Sequence, residues 1–240
     1  MFERAHHQRI ARVLGALHAE MLHDHGCLFG GGTCIALRYG EYRESVDIDF
    51  LVSDAVGYRN LRQLLTGERG MAAITRPGAI PLETAREIRA DQYGIRTVLK
   101  MDGQPIKFEI VREARITLDT PPQADVLCGV STLTARDLAA SKLLANSDRY
   151  ADDGVFSRDV IDLAMMGLKL PALRQAMTKA EQAYGEAIAR DLARAIDRIK
   201  TRHGWLERCM QAMAMDMPRA LLWQKLRALL KATSSPPGSP

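Results

Sequence analysis

The sequence predicts an α+β protein, in which an N-terminal mixed sheet with flanking helices is followed by a helical module. Three observations predict this class. Strand-like segments alternate with helical patterns up to residue 122, an Asp-Gly turn joins two of the strands, and the pattern after Pro121-Pro122 is helical. We therefore predict an α+β domain over 1–122, a helical domain over 123–232 and a disordered Ser/Pro/Gly tail over 233–240.

Short elements alternate through the first predicted domain. The predicted helices cover 3–24, 33–39 and 58–65, and the predicted strands cover 27–29, 45–52, 93–101 and 106–111. Three glycines precede the second helix, and Thr33 is its predicted N-cap. Asp102-Gly103 lies between the last two strands and predicts a tight hairpin.

The second predicted domain is mainly helical. The predicted helices cover 134–146, 158–166, 172–200 and 216–232. Thr134 and Asp137 have the spacing of a capping box, and Ser157 is the predicted N-cap of the next helix. The last strand-like segment, 127–130, lies just before these helices.

Composition describes an ordinary globular protein, with 47% hydrophobic and 26% charged residues among 240. No apolar run reaches the roughly 20 residues of a membrane helix, and the N-terminus lacks the apolar core of a signal peptide. We expect a cytoplasmic protein without a membrane partner. The four cysteines form no CxxC pair and indicate free or buried thiols. The net charge of +4 permits a nucleic-acid partner without requiring one.

Two aspartates, Asp47 and Asp49, carry the strongest chemical signal. Because side chains alternate along a strand, both carboxylates are predicted on one face. Burying two adjacent carboxylates costs free energy unless a cation neutralises them, and hard oxygen ligands suit Mg²⁺. The preceding turn, Gly30-Gly31-Gly32, suits phosphate because free backbone N–H groups point outward at a helix start. Together these features indicate nucleotide chemistry.

Glu109 is the predicted third carboxylate, on a later strand where it shares a face with Lys107. The alternative places Glu109 on the solvent face of an edge strand. Lys107 is either an active-site residue or a charge that protects a sheet edge from pairing.

The glycine turn matches neither common phosphate-binding fingerprint. A dinucleotide fingerprint would require glycine at Ile35, and no Gly-Lys-Ser/Thr follows as in a P-loop. A glycine pair at a helix start followed by Asp-x-Asp on the next strand resembles the polymerase-beta-type nucleotidyltransferase superfamily. More closely, the sequence resembles the AbiEii/AbiGii-type nucleotidyltransferase toxins of bacterial phage-defence and toxin–antitoxin loci. The segments that carry this resemblance are Gly31-Gly32-Thr33, Ala36-Leu37, Arg43, Ser45 to Phe50, Lys142 within 140–144, Asp148-Arg149 and Arg158 to Leu163.

The resemblance implies a set of site residues. Asp47, Asp49 and Glu109 would bind two Mg²⁺ ions, with Mn²⁺ as a substitute, and would form the catalytic set with Lys142. The family frequently has Asp where this chain has Glu109. The implied nucleotide-binding residues are Gly31, Gly32, Thr33, Arg43, Ser45, Lys142, Arg149, Arg158, Asp159 and Asp162.

Asp159 and Asp162 lie three residues apart and therefore on one helix face. One interpretation makes them a buried network that orients Lys142 or an arginine. The other makes them an exposed acidic pair beside Arg158, with Lys142 a solvated lysine.

The implied reaction transfers a nucleoside monophosphate from an NTP to an acceptor hydroxyl and releases pyrophosphate. The resemblance implies the 3′ end of tRNA as an acceptor and an antitoxin as a partner. The alternatives are a nucleotidyltransferase acting on a small molecule or a protein hydroxyl, and a catalytically inactive nucleotide-binding module.

Overall fold

The computed structural model describes residues 2–233, which form two units that meet in sequence after Thr134. The predicted boundary after residue 122 is too early because the following segment joins the first sheet. The backbone N–H of Leu133 donates to the carbonyl of Phe29 at 2.9 Å, and Thr132 forms a β-bridge with Phe29. Thr233, predicted to begin the tail, ends the last helix, and the rest of the predicted tail lies outside the described residues.

The first unit is a mixed five-stranded sheet with helices, as predicted. Its helices are α1 (Ala5–Ala16), α2 (Ala19–Asp24), α3 (Gly31–Arg38) and α4 (Ala55–Thr66), with a 3₁₀ turn at Gly70–Ile74. Its strands are β1 (Leu28–Gly30), β2 (Ile48–Val52), β3 (Glu83–Ala90), β4 (Gly94–Met101), β5 (Gln104–Arg112), β6 (Val126–Leu127) and β7 (Val130–Ser131). The main sheet has the order β1-β2-β5-β4-β3, in which β2 and β5 are parallel and the other pairs antiparallel. Strands β6 and β7 form a separate small hairpin.

One face of the main sheet is a dry aromatic core. Phe29, Phe50 and Phe108, on three neighbouring strands, are almost completely buried, and their successive ring centroids lie 5.5 and 5.8 Å apart. Since side chains alternate along each strand, Asp49 and Glu109 point to the opposite face. The core therefore fixes which side of the sheet presents the carboxylates.

Three local predictions in the first unit are corrected. The predicted helix 3–24 is two helices, because the N–H of His18 leaves the helical pattern and donates to the carbonyl of Ile74 at 2.9 Å. Thr33 is not the N-cap, since α3 begins at Gly31 with Gly30 as its cap. Strand β2 begins at Ile48, so Asp47 lies in the loop before it.

The Asp102-Gly103 hairpin is confirmed, with φ of 49° and 75° at the two turn residues. Strand β3 is not among the predicted strands, because most of its side chains are exposed and it carries no apolar alternation. It pairs with β4 through two register irregularities.

The second unit is helical, as predicted. Its helices are α5 (Ala135–Arg149), α6 (Arg158–Met165), α7 (Leu170–Tyr184), α8 (Ala187–Thr201), α9 (Trp205–Ala212) and α10 (Arg219–Thr233). The predicted helix 172–200 is two helices, because Gly185 adopts a φ of 55° that ends α7. Helix α9 is absent from the sequence prediction.

Within residues 2–233, no helix combines the length and the apolar character needed to cross a membrane. The four cysteines are free thiols, and Cys27, Cys34 and Cys209 are buried, as the composition predicted.

Candidate active site

A lateral row of paired residues crosses the open face of the main sheet. Asp49 of β2 is in register with Glu109 of β5, Glu109 with Arg96 of β4, and Arg96 with Arg89 of β3. Side chains in register on neighbouring strands point to the same face. We call these four residues the open-face row. It places two acidic side chains beside two basic ones, on the side of the sheet opposite the aromatic core.

Gly31 brings the first turn of α3 against the Asp49 end of this row. Its φ is +67°, and a Cβ added there would lie 2.5 Å from Oδ2 of Asp49. A side chain at position 31 would therefore displace the carboxylate as well as strain the backbone. The first N–H groups of a helix have no acceptor within the helix and carry partial positive charge. This junction thus puts anion-binding N–H groups beside Asp49.

Hydrogen bonds from two helices fix the loop that carries Asp47. Thr33 of α3 is buried, and its hydroxyl donates to Oγ of Ser45 at 2.7 Å. The N–H of Ser45 donates to Nε2 of His7 at 3.1 Å, and Nε2 of His6 donates to the carbonyl of Val46 at 3.0 Å. The predicted site residues Thr33 and Ser45 therefore contact each other and hold the approach to Asp47.

His7 is a site residue that the sequence analysis did not find. It is buried, and its Nδ1 lies 2.7 Å from Oε1 of Glu41. Because Nε2 accepts from the Ser45 N–H, Nδ1 carries the ring proton and donates it to Glu41. Burial lowers the pKa of His7 below its ordinary 6.5, although the Glu41 hydrogen bond partly opposes that effect. Neutral His7 is the form that supports the loop.

Both carboxylate oxygens of Glu109 are held by cations. Oε1 accepts from Nε of Arg96 at 2.8 Å, and Oε2 accepts from Nζ of Lys107 at 2.6 Å. Strand β5 lies between β2 and β4, so the edge-strand alternatives for Glu109 and Lys107 are wrong. Partial burial lowers the pKa of Lys107, but its hydrogen bond to Glu109 and the charges of Glu109, Asp47 and Asp49 raise that pKa above its ordinary value. Lys107 therefore lies within electrostatic reach of all three predicted metal ligands.

Arg43, predicted to bind nucleotide, is buried, and its Nη1 donates to the carbonyl of Glu44 at 2.8 Å. Arg43 therefore helps to hold the same loop through a hydrogen bond to the backbone of that loop.

The three carboxylates fit a divalent cation unequally. Asp47 and Asp49 supply hard oxygen donors of the kind Mg²⁺ prefers. Each carboxylate oxygen of Glu109 already forms an ion pair, one with Arg96 and the other with Lys107. Among residues 2–233, no group of three or more His, Cys, Asp or Glu side chains is arranged to hold a metal ion. Asp47 and Asp49 thus have the donor chemistry for an ion, and Glu109 could join them by exchanging Lys107 or Arg96.

The predicted site residues of the second unit form a buried network. Nζ of Lys142 lies 2.9 Å from Oδ1 of Asp159 and 2.7 Å from Oδ2 of Asp162, and Nε of Arg149 lies 2.7 Å from Oδ2 of Asp159. We call these four residues the Lys142 cluster. Lys142 and both aspartates are buried, so the exposed-pair and solvated-lysine interpretations are wrong and the network interpretation is confirmed. Arg158 lies outside these pairs and is half-buried.

The charges of the Lys142 cluster balance, with two cations and two carboxylates. Burial raises the pKa of Asp159, but Lys142 and Arg149 together lower it below its ordinary range. Asp159 therefore remains charged while Lys142 ties α5 to α6.

The turn before α6 is also held tightly. Phe156 and Ser157 both have left-handed backbone conformations, with φ of 51° and 50°. Nε1 of Trp205 donates to Oγ of Ser157 at 2.9 Å, and the Trp205 ring stacks on Phe156 with centroids 6.1 Å apart. Ser157 is the N-cap of α6, as predicted, but its hydroxyl receives Trp205 and makes no capping bond.

The family model for the nucleotidyl transferase AbiEii toxin of type IV toxin–antitoxin systems matches residues 12–232. The chain belongs to the AbiEii nucleotidyltransferase toxin family. It is therefore a member of a family of nucleotidyltransferase enzymes, and a toxin–antitoxin family implies an antitoxin partner. The match includes both the open-face row and the Lys142 cluster.

Two solved structures share the fold. A candidate nucleotidyltransferase from H. pylori has a TM-score of 0.55 and 19% identity, covering 97% of this chain and 96% of its own. JHP933 from Helicobacter pylori has a TM-score of 0.55 and 17% identity, covering 97% of this chain and 93% of its own. At such identities the likeness concerns the fold alone. No protein with a curated description matches the chain at a significant level.

Proposed function

We propose that this AbiEii-family enzyme transfers a nucleoside monophosphate from an NTP to a hydroxyl at the 3′ end of an RNA, with tRNA as the acceptor class. One observation carries the proposal. Asp49 is in register with Glu109 and also lies against Gly31 at the start of α3. A pair of carboxylates and a phosphate-binding helix start are thereby joined in one small area of the open face.

The triphosphate is assigned to the first turn of α3. The N–H groups of Gly31 and Gly32 would bind the β- and γ-phosphate oxygens, as helix starts bind anions elsewhere. Thr33 acts through Ser45, because its hydroxyl already donates to that side chain. Its part is to hold the loop of Asp47 in place.

Asp47 and Asp49 would hold Mg²⁺, or Mn²⁺ in its place. A bound divalent ion supplies charge neutralisation for the triphosphate and polarises the α-phosphate. A second ion would use Glu109, and would require that carboxylate to exchange one of its present cations.

Glu109 is assigned to the acceptor hydroxyl. Each carboxylate oxygen has a second lone pair, so Glu109 can accept a further hydrogen bond while Lys107 and Arg96 remain bound. The acceptor oxygen forms a bond to the α-phosphorus while the bond from that phosphorus to the β-phosphate oxygen breaks. Pyrophosphate leaves, and the hydroxyl proton passes to Glu109.

In this proposal Lys142 is a positioning residue, because its ammonium group is buried between two carboxylates. Asp159 and Asp162 hold it there. Arg149, whose side chain is 39% exposed, and Arg158 are the proposed RNA contacts of the second unit.

The test incubates the protein with each α-³²P-labelled NTP, Mg²⁺ and total RNA. We expect label in RNA, and we expect prior periodate oxidation of the RNA 3′ ends to prevent it. Asp49→Asn should reduce transfer by a factor on the order of 10³ because it removes charge beside the reacting phosphate. The matched control is Asp197→Asn, an exposed aspartate of α8, which should retain full activity.

Label confined to small molecules or to protein would contradict the RNA acceptor. Absence of transfer from folded protein with every NTP would contradict the catalytic proposal. Full activity in Asp49→Asn would overturn the assignment of the open face.

A further inference from the structure

A cavity of about 750 Å³ opens on the same face of the first unit, where β5, β4 and β3 run together. Its lining includes Asp47 and four basic side chains: Arg86, Arg89, Arg96 and Lys107. Gly31 follows β1 at the other edge of the sheet. The cavity therefore lies beside the proposed catalytic carboxylates, on the side away from the phosphate-binding turn.

A β-bulge puts Arg86 and Arg89 on the same face. Residues three apart on a regular strand point to opposite faces. Here Arg86 pairs with Val98 and Arg89 pairs with Arg96, so three steps along β3 match two steps along β4. The extra residue turns both arginines toward the cavity face, and such bulges are frequent beside active sites.

The four basic residues of the cavity differ in how far their charge is already neutralised. Lys107 and Arg96 are paired with Glu109, and Arg96 also with Asp91. Within the part of the chain that the structure describes, no carboxylate forms an ion pair with Arg86 or Arg89. Two acidic residues, Asp47 and Glu87, also line the cavity, so its formal charge is +2. The unneutralised positive charge lies on β3.

The proposed reaction fixes which substrate comes from this side. In phosphoryl transfer the attacking and leaving oxygens lie roughly in line on opposite sides of the phosphorus. If pyrophosphate leaves toward the first turn of α3, the acceptor oxygen must approach from the direction of β5, β4 and β3. The cavity occupies that direction, and this step rests on the proposed function.

We propose that the cavity is the acceptor site, and that Arg86 and Arg89 bind backbone phosphates of the RNA strand next to its 3′ end. The guanidinium group suits this task because its planar set of donors matches two phosphate oxygens at once. The two arginines position the strand so that its terminal hydroxyl reaches Glu109.

The first experiment measures binding without catalysis. A 5′-fluorescein-labelled 12-nucleotide RNA is titrated with protein in EDTA without NTP, and anisotropy is recorded at several salt concentrations. Arg86→Gln/Arg89→Gln should raise the Kd about tenfold and reduce the slope of log K against log salt by about 1.4, as expected for two lost contacts to a single strand. The matched control is Arg59→Gln/Arg227→Gln, which removes the same charge from two exposed arginines outside the cavity and should change the Kd little.

The second experiment measures transfer at saturating Mg²⁺. The Arg86→Gln/Arg89→Gln variant should raise the KM for RNA about tenfold and leave the KM for NTP unchanged, and Arg86→Lys/Arg89→Lys should recover part of the loss. Thermal melting checks that each variant is folded.

Three outcomes would overturn the acceptor site. These are an equal Kd in the Arg86/Arg89 and Arg59/Arg227 variants, equally tight binding of an uncharged methylphosphonate strand, and a rise in the KM for NTP instead of RNA. If wild type labels RNA but the Arg86/Arg89 variant binds RNA as tightly as the Arg59/Arg227 variant does, the cavity assignment fails and the proposed function stands. If the variants lose RNA binding and no protein transfers label, the cavity assignment stands and the proposed function fails.

Discussion

Two lysine–carboxylate clusters in this protein contain the same groups in opposite settings. Lys107 has a side chain that is 51% exposed and pairs with Glu109 on the open face, near Asp47 and Asp49. Lys142 has a side chain that is 7% exposed and lies between two buried aspartates. The Lys107–Glu109 pair is accessible to solvent through Lys107, whereas the Lys142 cluster is buried and its charges balance.

This difference assigns the two clusters different tasks. Exchange of an exposed ion pair for a metal ion or a substrate costs little, because water compensates the separated groups. Breaking a buried pair leaves an uncompensated charge in a medium that solvates it poorly. The Lys107–Glu109 pair can therefore exchange partners during a reaction, whereas the Lys142 cluster holds helices α5 and α6 together.

The largest expected effect is the difference in stability between a variant that lacks Lys142 and a variant that lacks Lys107. Lys142→Ala should lower the free energy of unfolding by about 3–5 kcal/mol because it removes the buried cation that two buried carboxylates share. Lys107→Ala should lower it by less than about 1 kcal/mol, the usual worth of an exposed pair. Urea denaturation of both variants measures the contrast.

A control for this contrast is the double variant Lys142→Met/Asp162→Leu, which removes a buried charge of each sign. It should be less destabilised than Lys142→Ala. Equal losses from Lys107→Ala and Lys142→Ala would show that the two clusters do not differ as described.

The second expected effect is a difference in stability and NTP binding between alanine substitutions at two neighbouring glycines. Gly31→Ala should lower stability by about 1–2 kcal/mol, the cost of a left-handed backbone for a residue with a Cβ, and should weaken NTP binding by displacing Asp49. Gly32 is not among the positions with positive φ, so Gly32→Ala should change stability much less. Urea denaturation measures the stability of the two variants, and calorimetric titration with a non-hydrolysable NTP analogue measures their affinity for NTP. Comparable NTP affinity in the two variants would contradict the close contact between Gly31 and Asp49.

The smallest expected effect is the pH dependence of stability that His7 contributes through its support of the loop before Asp47. Because burial holds the pKa of His7 below 6.5, the unfolded chain binds more protons than the folded protein as the pH falls below that value. Stability should be fully present above pH 6.5 and should decline toward lower pH, by at most about 1.4 kcal/mol per pH unit for one group. His7→Gln should reduce this dependence. A pH dependence that His7→Gln leaves unchanged would assign the effect to other groups.

Short sequence patterns were enough to predict the features that depend on residues close together in the chain. The β4–β5 hairpin follows from Asp102-Gly103, and alternation within each strand puts Asp49 opposite Phe50 and Glu109 opposite Phe108. The parallel pairing of β2 with β5 depends on contacts between residues far apart in sequence, and no local pattern encodes it.

Other features were missed because their cause is tertiary. Leu17 and His18 interrupt a continuous helical pattern to bond with the segment after α4, and β3 is held by its pairing with β4 rather than by its own apolar side chains. Nothing in the sequence marks His7 as buried or joins it to Ser45. The bulge at Arg86 and Arg89 depends on register, which a single strand does not specify.

The central claim is that Asp47 and Asp49, beside the first turn of α3, bind the divalent ion and the nucleotide. Electron paramagnetic resonance of Mn²⁺, titrated with protein in the presence of a non-hydrolysable NTP analogue, tests it most directly. We expect wild type and Asp197→Asn to bind Mn²⁺ equally, and Asp49→Asn to lose most of that binding while remaining folded. Equal Mn²⁺ binding in Asp49→Asn and wild type would contradict the account.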